Sequence, residues 1–115
     1  MGWLQQRIDA APFRGKRIRL RAAVRAEVIG PGNQAHLWLR VSGKDLTPLF
    51  FDAMLDRPIT SSEWRDYEIV GEVSNDAETI EYGLALVGDG RTWLDAVSIE
   101  TTPKASRAMQ DDRRY

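Results

Sequence analysis

The chain contains no cysteine, which excludes disulfides and thiolate chemistry. It contains one histidine, His36. Sites that need two are therefore excluded: His–Cys zinc sets, the HExxH metalloprotease pair and the two-histidine iron triad. No apolar run approaches the roughly 18 residues of a membrane-spanning helix. The opening, Met1 to Ile8, has no apolar core of the kind a secretory signal carries, so the expected location is cytoplasmic. There is no nucleophile elbow, no glycine-rich phosphate loop and no dinucleotide fingerprint. Nor does the sequence fix the paired carboxyls that glycoside hydrolysis holds across a cleft. The expectation is a protein that is not an enzyme and uses no cofactor.

Against these absences stand 115 residues, 43% of them hydrophobic and 29% charged. That allows one folded domain with one core, or an incomplete domain that borrows a partner's surface. The net charge is only -1, yet it is unevenly spread. Residues 1–57 carry 10 Lys and Arg against 5 Asp and Glu, and residues 58–115 carry 6 against 12. Such halves could meet a polyanion or could lie against each other.

Period-two alternation dominates. Ile18, Leu20, Ala22, Val24 and Ala26 fall on one side of a strand, and Arg17, Arg19, Arg21 and Arg25 on the other. Leu37, Leu39 and Val41 oppose His36, Trp38 and Arg40. Pro48 to Asp52 reads as a short edge strand with Phe50 and Phe51 pointing opposite ways. Ala53 to Glu63 reads as a long loop, broken by Pro58. In Arg65 to Val73 the residues Tyr67, Ile69 and Val73 oppose Asp66, Glu68 and Glu72. Ser74 to Ala77 is a turn, followed by a strand over Thr79 to Val87. Gly88-Asp89-Gly90 is a hairpin signal. The closing strand, Arg91 to Ile99 or Glu100, puts Trp93, Asp95, Val97 and Ile99 on one side. Trp3 to Ile8 supplies a weakly patterned first strand. About seven short strands and no long helix predict an all-β, antiparallel β-sandwich over residues 1–100, with a flexible tail over 101–115 or a short helix near Ala105 to Asp112.

The arginine stripe has two readings. It could lie along phosphates. The strand carrying Asp66, Glu68 and Glu72 has the same period and the opposite sign, however, so antiparallel neighbours would match the two rows. Pairing is the favoured reading, and the acidic overall balance also weighs against nucleic acid.

The candidate ligand-binding residues are Trp38, His36, Arg40, Asp52 and Arg57. Trp38 offers a flat apolar platform if its face is open, with His36 and Arg40 as flanking hydrogen-bond donors. The same ring could fill the core or an interface between subunits. Asp52 and Arg57, with Asp56 beside them, could bind a ligand or tie down their own loop. Met54 and Phe51 could anchor that loop or line a cleft. Gly83 leaves room for an aromatic ring or for close backbone approach.

Several stretches carry a resemblance: Phe13-Arg14-Gly15-Lys16-Arg17-Ile18-Arg19-Leu20-Arg21-Ala22, Leu37-Trp38-Leu39-Arg40-Val41, Met54 with Asp56-Arg57-Pro58-Ile59, Trp64-Arg65-Asp66-Tyr67-Glu68-Ile69-Val70, and Trp93-Leu94-Asp95-Ala96-Val97-Ser98-Ile99-Glu100. In this order, over about residues 3–100, the chain resembles the galactose-binding-like jelly rolls similar to carbohydrate-binding modules. It is closest to a bacterial subgroup of accessory domains, sometimes attached to regulators or hydrolases. The resemblance implies a non-catalytic module for a carbohydrate-like or other small ligand. It also makes Asp95 a calcium candidate, since the Asp of a similar closing motif often holds a structural calcium. Domains of that type usually have further N-terminal strands. The resemblance therefore implies an incomplete sandwich, and the expected partner is a second copy in a homodimer. A structural, self-associating protein is the alternative reading.

Overall fold

The computed structural model describes residues 2–28, 30 and 32–102. Seven strands form two antiparallel sheets: β1 (Gly2–Asp9), β2 (Lys16–Val28), β3 (Gln34–Ser42), β4 (Pro48–Asp52), β5 (Arg65–Val73), β6 (Thr79–Val87) and β7 (Gly90–Thr102). One sheet has the order β1-β6-β3-β4 and the other β5-β2-β7. The expected all-β sandwich is what the chain forms, in a jelly-roll arrangement. Thr101 and Thr102 belong to β7 rather than to a tail. The expected short helix at 105–112 lies outside the described residues.

The alternation of β2 is realised residue by residue. Ile18, Leu20, Ala22, Val24 and Ala26 are buried, and they meet Leu37, Leu39 and Val41 of β3, Ile80 and Leu84 of β6, and Ile69 and Val73 of β5. Burying side chains of this size stabilises by roughly 1.5–3 kcal/mol each. Phe50 pairs with Val41 on the core side, and Phe51 pairs with Arg40 on the outer side. The Phe50 ring packs on Gly71, where an added Cβ would stand 2.8 Å from Phe50 Cε2.

On the outer face of the three-stranded sheet the charge rows meet as their periods require. Arg17 pairs with Glu72 at 2.7 Å. Arg19 reaches Glu68 at 3.3 Å and Glu100 at 3.6 Å. Arg25 binds Glu27 and lies 4.3 Å from the Trp93 ring centroid. Exposed pairs of this kind are each worth about 0.2–1 kcal/mol. Their effect is on the choice of neighbouring strand more than on stability.

Two expectations need correction. The Gly88-Asp89-Gly90 turn forms, with Gly88 and Gly90 at positive φ. It does not close a hairpin, because it carries the chain from β6 of one sheet to β7 of the other. On β7 the expected common side for Trp93, Asp95, Val97 and Ile99 is broken by a bulge. The β2–β7 register shifts between Arg21 and Ala23, and Ala96 takes φ 52°. A bulge inserts one residue and reverses the face of everything beyond it. Trp93 therefore pairs with Arg25 outside, while Ile99 pairs with Leu20 inside. Asp95 is exposed, not on the core side, and its Oδ1 accepts the Ala96 N–H at 2.8 Å.

The segment between β4 and β5 is a loop, as expected, but a pinned one. Ile59 exchanges two backbone hydrogen bonds with Ala35 of β3, and Ser61 O accepts from Ala26 N of β2. Met54 and Ile59 are buried in the core. The loop thus fastens the two sheets to each other at one end of the sandwich.

Candidate functional site

The register of the four-stranded sheet decides which side chains share its outer face. Trp38 pairs with Gly83, Arg40 with Glu81 and His36 with Ala85. Gln5 pairs with Gly83, and Arg7 with Glu81. Phe51 joins from β4 opposite Arg40. Trp38, His36 and Arg40 therefore share a face, as alternation predicts.

Trp38 is not an open platform. It is 2% exposed. Its ring lies over Gly83, where a Cβ would stand 2.9 Å from Trp38 Cζ2 and would run into the Leu4 carbonyl oxygen. The glycine is thus used as the sequence suggests, for an aromatic ring and for close backbone approach together. His36 is also buried, and its Nδ1 has no hydrogen-bond partner among the described residues. Both residues form the floor of the face rather than its surface.

The surface is made by a polar cluster around Glu81. This carboxylate is only 3% exposed. Its Oε2 accepts from Gln5 Nε2 at 2.7 Å and from Arg7 Nη2 and Nε at 3.0 and 3.3 Å. Its Oε1 accepts from Arg40 Nη1 at 3.3 Å. A buried carboxylate is tolerable only when neutralised and hydrogen-bonded in this way. Arg40 also sits 5.6 Å from the centroids of both the Trp38 and the Phe51 rings. Phe51 itself is 55% exposed. Among the described residues the face therefore carries the open Phe51 ring beside two guanidinium groups held in place by a buried acid.

Asp52 and Arg57 come together, but apart from Arg40. The register sets Asp52 opposite Leu39, on the reverse side of β4 from Phe51. Arg57 Nη2 donates to Asp52 Oδ2 at 2.9 Å and Nη1 to Asp56 Oδ1 at 2.9 Å. The Asp52 hydrogen bond, with the charges of Asp52 and Asp56, holds the Arg57 guanidinium above its ordinary range, while desolvation opposes it. Asp52 Oδ1 accepts the Met54 N–H at 2.8 Å. These contacts tie the loop to its own strand end.

Sequence reasoning missed Gln5 and Arg7, and gave Glu81 no part in the site. The alternation of β1 hints that Gln5 and Arg7 oppose Leu4 and Ile8. Nothing local says that they meet Glu81, more than 70 residues away. Among the described residues Asp95 is not grouped with ligands for a calcium. Among the described residues no three His, Cys, Asp or Glu side chains are grouped to hold a metal ion. No helix among them is long and apolar enough to cross a membrane.

A second feature lies at the opposite edge. Between β1 and β7 the two sheets part, leaving a cavity of about 160 Å³ lined by Leu4, Gln6, Tyr82, Gly83, Leu94 and Val97. Leu4 and Val97 are 51% and 39% exposed there.

No family model matches the chain. A solved chain described as "CBM4 structure and function" superposes with a TM-score of 0.60 at 17% identity, over 87% of this chain and 61% of that one. The chain shares its jelly-roll fold with that protein. Over 98 residues, 84% of its length, the chain is 36% identical to the "Uncharacterized HTH-type transcriptional regulator YbfP" of Bacillus subtilis (strain 168). It spans about a third, 32%, of that regulator's length.

Proposed function

We propose that the chain is a non-catalytic module that binds a carbohydrate-like ligand on the outer face of the four-stranded sheet. The observation that carries this reading is the buried Glu81 gathering Gln5, Arg7 and Arg40 beside the exposed Phe51 ring. Sugars present an apolar ring face and a rim of hydroxyls. A site for them needs exposed aromatic area and a few fixed polar groups. Trp38, the first candidate from sequence, serves that site by supporting Arg40 from below. The jelly-roll fold shared with a carbohydrate-binding-module structure supports the same reading. The likeness to part of a regulator suggests the setting in which binding acts: the module reports a ligand to an attached domain. Intrinsic tryptophan fluorescence and calorimetry against a panel of oligosaccharides test the proposal. Phe51→Ala is expected to weaken the binding about fivefold, since an aromatic contact is worth about 1 kcal/mol. The same substitution should leave the melting temperature unchanged because Phe51 lies outside the core. Failure of every glycan at millimolar concentration, or equal binding by Phe51→Ala, overturns it.

The parted edge favours a second reading, self-association. Leu4 and Val97 are exposed apolar groups beside the unpaired edges of β1 and β7. A light-scattering mass near twice 13.0 kDa, reduced to one chain by Leu4→Lys, is the expected result. A monomeric mass at 100 μM, a concentration of about 10⁻⁴ M that populates even modest dimers, removes it.

A further inference from the structure

The hydrogen-bonding character of the outer face narrows the ligand, on the reading that this face binds a sugar. A neutral sugar hydroxyl both donates and accepts, so a neutral sugar site needs donors and acceptors together. A carboxylate only accepts. Between β1 and β3 the charged groups with capacity to spare are donors, and the Gln5 amide oxygen is the neutral acceptor beside them. The acid between the two arginines, Glu81, is buried and its two oxygens already take four N–H groups. It has little capacity left for a ligand. The guanidiniums do have capacity. Arg7 uses Nε and Nη2, leaving Nη1; Arg40 uses Nη1, leaving Nε and Nη2. The side chains are 62% and 40% exposed.

The local charge agrees. Arg7 and Arg40 against Glu81 leave one positive charge, on a chain whose overall balance is -1. The other acid on this face, Asp9, stands at the end of β1 and accepts the Ala11 N–H at 2.9 Å. On the opposite sheet most of the arginine stripe is neutralised by its own acids. The spot between Arg7 and Arg40 is therefore a local positive site in a weakly acidic protein, with its forks already oriented. Planar, two-oxygen anions suit such forks best.

We propose that this face binds acidic carbohydrate, a uronate-containing oligosaccharide, with the sugar carboxylate held by Arg7 and Arg40 and the ring stacked on Phe51. Glu81 is a positioning residue, which fixes both arginines without touching the ligand.

The test is isothermal calorimetry of the full chain with oligomers of galacturonate, glucuronate and mannuronate, each beside its carboxyl-reduced neutral counterpart. At least one acidic oligomer is expected to bind tenfold or more tightly than its neutral form. Arg7→Gln and Arg40→Gln should each weaken it about tenfold or more, in line with a charge-assisted hydrogen bond. Arg21→Gln, on the other sheet, should not. Equal binding of acidic and neutral oligomers overturns the anionic inference and leaves the carbohydrate reading standing. Equal loss in Arg21→Gln overturns the inference too, by showing non-specific attraction of a polyanion. If no oligomer of either kind binds and the wider glycan panel is also silent, both readings fall. Each variant's melting curve, read alongside, separates lost contacts from lost folding.

Discussion

Alanine at Gly83 is expected to destabilise the domain by about 3 kcal/mol, at the upper end of the usual range for overpacking. In a domain of this size that lowers the melting temperature by some 12–24 °C, at roughly 4–8 °C per kcal/mol. The added Cβ meets two obstacles of different stiffness. Trp38 Cζ2, 2.9 Å away, belongs to a ring packed into the floor of the sheet. The Leu4 carbonyl oxygen belongs to the backbone of β1 and cannot turn aside. Relief requires β1 to move relative to β6, and with it Gln5 and Arg7. Thermal or urea denaturation of Gly83→Ala checks the size of the effect. A loss below 1 kcal/mol would mean that β1 shifts freely, and the arrangement around Glu81 would then be less fixed than described.

Removing both Arg7 and Arg40 should cost far more than the two single losses together. With either arginine present, Glu81 keeps one cation and the Gln5 amide. With both replaced by alanine, a carboxylate that is 3% exposed keeps only Gln5. Leaving a buried charge without its partner costs about 3–5 kcal/mol. Each single change, in a half-exposed side chain, should cost about 1 kcal/mol or less. A double-mutant cycle by chemical denaturation measures the difference as coupling. Adding Glu81→Leu to the double variant should restore most of the loss, since the uncompensated charge is then gone. Additive effects in the cycle would mean that Glu81 is solvated and does not hold the arginines.

What could be read from sequence, and what could not, divides along covalent distance. The strand β2 was legible because its alternation is local: Arg17, Arg19 and Arg21 are two residues apart, and Arg25 continues the same phase four residues on. Its acidic partner was legible because β5 repeats the same period with the opposite sign. Phe50 and Phe51 were assigned to opposite faces by the same rule. The rule failed at β7, where Ala96 takes a left-handed conformation that its side chain does not advertise. One inserted residue there was enough to part Asp95, which faces solvent, from Ile99, which faces the core. At the site the face of Trp38 was legible and its depth was not. Depth depends on what crosses above and below a strand, and β3 lies between two neighbours in the sheet. The Glu81 cluster was illegible for a related reason. Alternation says that Glu81 points outward from β6, but only the β1–β6 register brings Gln5 and Arg7 to it. Asp52 and Arg57 were rightly grouped with each other. They stand apart from Arg40, because adjacent residues of β4 leave on opposite sides.

The loop from Ala53 to Trp64 bears on how this domain tolerates change of length. Surface connections are ordinarily where insertions and fusion points are accepted, because little depends on their path. This one is hydrogen-bonded to β3 through Ile59 and to β2 through Ser61. An insertion before Ile59 would shift the phase of both anchors, as a lengthened rivet loosens two plates at once. Permissive positions should instead lie away from ties to the strands, at the exposed Gly88-Asp89 crossing or around Asp45 and Leu46, whose backbone hydrogen bonds stay within their own turn. A reporter or a new domain boundary introduced there would leave the two sheets joined, and the face built on Glu81 intact.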